Sequence, residues 1–122
     1  MSTFEKWNLE APILEAIKSR GWVEPTEIQV DAIPLARTGK DIVGQAKTGS
    51  GKTAAFGIPI LEICQKKGIP QAIILRPTRE LAVQVTEEMI ELQGTKGLNI
   101  ISVYGGTCLL STYDAADEES GV

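Results

Sequence analysis

The 122 residues contain no histidine. That removes Ser-His and Cys-His nucleophile pairs, and the common zinc sites built on imidazole. Cysteine is nearly absent too: Cys64 and Cys108 stand far apart. Residues 1–9 lack a basic segment leading into an apolar one, so no secretory signal is read there. The two cysteines are therefore expected as reduced thiols of a cytoplasmic protein. No apolar run approaches the ~18–20 residues that a membrane span needs. A strong charge of one sign is also missing from the body of the chain. The net charge is −4, but four acids (Asp114, Asp117, Glu118, Glu119) lie in the last thirteen residues, which hold no Lys or Arg. Up to residue 109, 12 acids face 12 bases. A neutral body neither supports nor excludes nucleic-acid binding, which needs only a local basic face.

What is present is an ordinary globular composition, 43 % hydrophobic and 23 % charged. The length suits one domain. Residues 9–20 place Ile13, Leu14 and Ile17 at helical spacing, with Gly21 as a stop. Thr26 and Gln29 form a T-x-x-Q capping box that opens a second helix to about Ala36, with Pro34 as a possible kink or early end. A third helix is expected from Lys52 to about Lys66, closed by Lys66 and Lys67 against its dipole. A fourth, from Arg79 to Leu92, carries Leu81, Val85, Met89 and Leu92 on one face. Between the helices, residues 41–45 (DIVGQ), 70–75 (PQAIIL) and 98–104 (LNIISVY) read as short buried strands. The alternation predicts an α/β parallel sheet. From Gly105 onward neither period holds, and residues 107–122 are expected to form a disordered acidic tail.

Residues 46–53 read A-K-T-G-S-G-K-T. Gly49 and Gly51 allow a tight backbone path, and the N–H groups of residues 48–53 (Thr48, Gly49, Ser50, Gly51, Lys52, Thr53) can cradle phosphate. Lys52 supplies a cation for the β- and γ-phosphates and Thr53 a hydroxyl for Mg²⁺. The helix that follows directs its positive end at the anion. The strict phosphate-loop pattern opens on Gly, and here Ala46 stands in that place. A short β-like run before the loop and a helix after it supply the required context. The bland alternative is a glycine-rich turn with a surface lysine.

With Ala first and Thr48 third, AKTGSGKT resembles motif I of the DEAD-box RNA helicases. Residues 21–29, G-W-V-E-P-T-E-I-Q, resemble that family's Q motif, with Trp22 in place of Phe. The family sets a lone aromatic 17 residues ahead of that glycine, and Phe4 stands there. Residues 77–84, P-T-R-E-L-A-V-Q, match motif Ia, and Gly105-Gly106 match the glycine doublet. The resemblance implies ATP and Mg²⁺ as cofactors and RNA as partner. Gln29 would read the adenine edge, a task suited to a carboxamide that donates and accepts at once. Phe4 would stack on the base and Thr26 would hold the loop. Pro77, Thr78, Arg79, Gly105 and Gly106 would contact the RNA backbone without reading sequence. The plainer alternatives are Gln29 as a cap partner of Thr26, Phe4 and Trp7 as a hydrophobic clip, and Arg79 and Glu80 as first-turn residues of a solvated helix.

The resemblance thus implies a partial RecA-like P-loop domain over residues 1–106, a parallel sheet with flanking helices and its C-terminal strands missing. Residues 114–117 (D-A-A-D) mimic the D-E-A-D box but follow Ser-Thr-Tyr rather than an apolar strand, carry Ala115 where Glu is expected, and lie too close to Lys52. They are rejected as the acid that holds Mg²⁺. A frameshift near codons 107–110 would account for the tail. On this reading the chain binds ATP and touches RNA but neither unwinds nor hydrolyses appreciably. Two other classes stay open: an inert or poorly folded remnant, and a small P-loop kinase, for which the Phe4, Gln29 and P-T-R-E-L-A-V-Q set would have no use.

Overall fold

The structure, a computed structural model, describes residues 3–47, 49 and 51–105. Thr48, Ser50, Gly106 and the 107–122 tail, with its D-A-A-D run, lie outside the described residues. Five helices follow in order: α1 (Thr3–Lys6), α2 (Ala11–Ser19), α3 (Glu27–Arg37), α4 (Lys52–Ile63) and α5 (Arg79–Gln93).

Each long helix starts or stops where local chemistry dictates. Pro12 occupies the first turn of α2, where a missing N–H costs nothing. At its other end Gly21, at φ 78°, donates to the Lys18 carbonyl (3.0 Å), and Trp22 donates to that of Ile17 (3.3 Å). This pair of bonds is a Schellman cap, which needs a left-handed residue and so favours glycine. It also turns Trp22 back toward the core. Thr26 caps α3, which runs on through Pro34 to Arg37, one residue past the end expected from the sequence. In α5 the Thr78 hydroxyl accepts the Leu81 N–H at 3.2 Å.

The core is one cluster of Phe4, Leu9, Ile13, Ile17, Ile33, Ala54, Ile58, Leu61, Val85, Met89 and Leu92. Helix α4 is its centre, packed between α3 and α5, while α2 rests on α5. Six residues of α4 are buried, Pro59 among them. Close approach of α4 and α5 occurs at Gly57, where a Cβ would stand 2.5 Å from the Met89 sulfur.

The expected parallel sheet is not found. Among the described residues there is no strand, and no backbone–backbone hydrogen bond joins the 41–45, 70–75 and 98–104 segments to one another. A strand exists only through a neighbour that pairs with its N–H and C=O groups, and these segments have none. Their apolar side chains divide accordingly. Ile74, Leu98 and Ile100 pack on the helical core, whereas Val43, Ile73 and Leu75 are 96 %, 80 % and 87 % exposed. Apolar patterning predicted burial on both faces; in residues 70–75 and 98–104 only one face is covered, and residues 41–45 are exposed throughout.

Segment 98–104 is nevertheless held in a defined course by side chains of α5. Gln93 donates its Nε2 to the Leu98 carbonyl (3.1 Å) and accepts the Leu98 N–H (2.6 Å). One stretch further on, the hydroxyls of Thr86 and Ser102 lie 2.6 Å apart. The chain leaves the end of α5 and returns along it toward its start.

The C-terminus of α4 departs from expectation as well. The helix ends at Ile63, with Cys64 as its cap, so Lys66 and Lys67 lie beyond it. Lys96 takes the role instead. Its ammonium donates to the carbonyls of Leu61 (2.5 Å) and Glu62 (3.4 Å) and pairs with Glu10 at 2.7 Å. The Lys96 side chain is 9 % exposed, and it ties the entry of α2, the end of α4 and the turn after α5 at one point. Lys96→Met keeps the aliphatic stem and removes the donor, leaving the Leu61 carbonyl without it. Urea unfolding is expected to show a loss of about 1–2 kcal/mol. An unchanged midpoint would show that the staple contributes nothing.

Candidate functional site

Helix α4 differs from its neighbours at its N-terminus. The first turn of any α-helix presents N–H groups with no partner inside the helix. In α3 these face Thr26, Glu27 and Gln29, and in α5 they face Thr78 and Glu80. In α4 the N-cap is Gly51, and among the described residues no side chain caps the turn and no acid stands in it. Lys52 opens the helix, is exposed, and joins none of the ion pairs found among the described residues. N–H groups without a side-chain cap among the described residues, the positive end of a twelve-residue helix and a lysine make an environment that favours an anion.

The entry to this helix is fixed by the segment around residue 26. Gly51 sits at φ 85° and Gly49 at φ 82°, both in the left-handed region. The Gly51 carbonyl accepts twice, from the Ala55 N–H (3.1 Å) and from Gln29 Nε2 (3.2 Å). The other end of the Gln29 amide, Oε1, accepts the Thr26 N–H at 3.0 Å. A Cβ on Gly51 would lie 2.3 Å from Gln29 Nε2 and 2.9 Å from Thr26 Oγ1. Glycine is therefore required at 51 twice over, for conformation and for space. At Gly49 the conformation alone requires it, since a Cβ there would meet no atom within 4 Å.

Gln29 is 1 % exposed and its amide is engaged at both ends, so it partners the Thr26 N–H and reaches on to the Gly51 carbonyl. Phe4 is also 1 % exposed. Its ring stacks on Trp22 (6.4 Å between centroids, 19° between planes) and meets Trp7 edge-on at 5.7 Å. The Arg20 guanidinium lies 4.7 Å from the Trp22 ring. In this packing Phe4 has the surroundings of a hydrophobic clip, and stacking on a base would require the ring to leave it. An open groove of about 510 Å³ lies beside this clip, lined by Phe4, Leu14, Lys18 and Trp22 among others. The phosphate loop lies outside that groove.

A second group of predicted residues gathers at the start of α5. Pro77, Thr78 and Arg79 are exposed there. The returning 98–104 segment ends beside them: the Arg79 guanidinium carbon lies 5.4 Å from the centroid of the Tyr104 ring. Gly105 follows directly. Nothing within 4 Å would meet a Cβ at Gly105, so the described structure itself makes no demand for glycine there. Sequence reasoning passed over Tyr104, Thr86, Ser102 and Lys96. For Thr86 a signal existed: with Arg79 and Gln93 it recurs every seventh residue, which puts all three within about 40° on one helical face.

Gly51→Ala is expected to cost about 2–3 kcal/mol, from the left-handed conformation and from displacement of the Gln29 amide. Gly49→Ala should incur only the first part. Urea midpoints and the side-chain amide resonance of Gln29 check both. Equal losses in the two variants, with Gln29 unmoved, would contradict the described contact.

Comparison with known proteins gives a consistent result. The sequence profile of the DEAD/DEAH box helicase family matches residues 26–119. The DEAD-box ATP-dependent RNA helicase CshA of Streptococcus pneumoniae is 50 % identical over 107 residues, covering 87 % of this chain and 20 % of that protein. The CshA of Geobacillus kaustophilus is 46 % identical over 107 residues, 87 % of this chain and 23 % of that one. This chain thus spans about a fifth of these relatives. Among solved structures, a DEAD box protein from the hyperthermophile Methanococcus jannaschii superposes with a TM-score of 0.82 at 46 % identity, covering 89 % of this chain and 30 % of that one. The RNA helicase Prp28 from Chaetomium thermophilum bound to ADP gives a TM-score of 0.73 at 40 % identity, with coverage of 86 % and 27 %. The matched profile spans most of the chain and includes its A-K-T-G-S-G-K-T and P-T-R-E-L-A-V-Q runs, and the chain belongs to the DEAD/DEAH box helicase family.

Proposed function

We propose that these 122 residues form the ATP-binding and RNA-contacting N-terminal part of a DEAD-box RNA helicase. The observation that carries the reading is the uncapped N-terminus of α4 behind the two left-handed glycines, with Lys52 exposed beside it. A nucleotide triphosphate supplies the missing partner. Its phosphate oxygens would take the N–H groups of the loop and the Lys52 ammonium, and Thr53 would offer its hydroxyl to the accompanying Mg²⁺. The Prp28 structure similar to this chain is one bound to ADP, which supports a nucleotide over a bare anion. Gly49 and Gly51 set the loop, with Thr48 and Ser50 proposed as its remaining members.

Gln29 is proposed as reader of the adenine edge, through the second N–H and the second lone pair of its amide. Thr26 holds that amide in place. Phe4 is proposed to support the site from beneath, by holding Trp22 and the loop that leads to Gln29. RNA would meet Pro77, Thr78 and Arg79 at the start of α5, with Gly105 and Gly106 allowing close main-chain approach. The Thr78 oxygen already accepts the Leu81 N–H, and its own O–H remains to donate to a phosphate. Contacts of this type position RNA without reading its sequence. The chain spans about a fifth of the helicases it resembles, and what is proposed for it is binding.

A ligand that binds only the folded state raises apparent stability, by about 2.7 kcal/mol at a hundredfold excess over Kd. MgATP is therefore expected to raise the melting temperature of the chain, and Lys52→Ala to abolish most of the rise. Equal stabilisation of both proteins would place the nucleotide elsewhere. An absent shift in the wild type would remove the nucleotide reading for this chain.

A further inference from the structure

The course of residues 98–104 is set by three contacts at regular intervals along α5: Gln93 with Leu98, Thr86 with Ser102, and Arg79 with Tyr104. The geometry of the two pieces agrees. From Arg79 to Gln93 an α-helix rises about 21 Å, and an extended chain from residue 98 to 104 covers about 20 Å. The segment therefore runs the full length of the helix, and its end arrives at the start of the helix. Two polar contacts fix its register, and the third places an aromatic ring against the guanidinium of Arg79.

We propose that Tyr104 is a positioning residue for RNA binding: its ring holds the Arg79 guanidinium in the orientation in which it meets the RNA backbone. The inference rests on the reading that Arg79 contacts RNA. Arginine is suited to both roles together. Its flat face is attracted to the ring, and the pair falls within the ~6 Å at which this attraction is significant. Its N–H groups all lie in the guanidinium plane, so stacking leaves them available for bidentate bonds to a phosphate. An exposed arginine otherwise loses side-chain entropy when it binds, and prior ordering by the ring lowers that cost. The hydroxyl of Tyr104 has no part in this, so the ring alone is required.

The test uses the full chain and a short fluorescent oligouridylate. Arg79→Ala should weaken binding about tenfold and lower the salt dependence by about one phosphate contact's share, ~0.7 in the log–log slope. Tyr104→Leu should weaken it about two- to fivefold, and Tyr104→Phe should retain wild-type affinity. In an Arg79→Ala background, Tyr104→Leu should add no further loss. A structural role alone would persist in the Arg79→Ala background, so that background is the discriminating readout; the ring-current shift of the Arg79 Nε–H resonance, expected in the wild type and in Tyr104→Phe and lost in Tyr104→Leu, reports the contact itself. If Arg79→Ala weakens binding while Tyr104→Leu acts undiminished in its absence, or has no effect, the positioning role is overturned and the RNA reading stands. An Arg79 resonance without a ring-current shift in the wild type overturns it too, whatever the stability of the variants. If Arg79→Ala leaves affinity and salt slope unchanged, the RNA reading of this site fails and the inference with it.

Discussion

The Gly51 carbonyl is the point on which the site depends. It accepts the first helical hydrogen bond of α4 and a bond from Gln29. Through Gln29 it is joined to the Thr26 N–H at the start of α3. One buried amide thus sets the angle between two helices and the path of the chain into the phosphate loop. The left-handed conformation of Gly51 and the 2.3 Å that would separate a Cβ from Gln29 follow from this same bond. A helix entry held this way is pre-organised at Gly51.

The arrangement sets the start of α4 apart from the starts of the two helices packed against it, α3 and α5. All three of these helices leave N–H groups at their starts; Thr26 and Gln29 form a capping box at α3 and Thr78 accepts the Leu81 N–H at α5, whereas among the described residues no side chain caps α4. In α4 the glycine that the Gln29 contact demands is also a residue with no side chain to cap the helix. The structural requirement and the chemical opening arise from the same residue. Burial of α4 between α3 and α5 then fixes the helix that bears the opening, and Lys96 secures its far end.

The helices were largely legible in the sequence because their signals are local. Periodicity placed α2 and α5, the T-x-x-Q box placed α3, and Gly21 marked the end of α2 through a cap that only a left-handed residue forms. The sheet was misjudged because a strand is a relation between segments, and apolar runs at 41–45, 70–75 and 98–104 say nothing of what pairs with them. Motif spacing singled out Gln29, Lys52 and Arg79, but did not show that Gln29 turns its amide onto Gly51. Nor did it show that Phe4 lies beneath Trp22. Lys96 was missed for a related reason. Its partners Glu10, Leu61 and Glu62 are 86, 35 and 34 residues away, and no local pattern encodes such a meeting.

The most direct test of the central claim is an NMR titration of the isotopically labelled chain with MgATP. The account predicts saturable shifts of the backbone amides at the start of α4, from Lys52 to Ala54, together with the side-chain amide of Gln29, while the amides at the start of α3 and α5 move little. Saturable shifts that leave residues 52–54 and Gln29 unmoved would contradict it, because the anion would then be held by something other than the open end of α4.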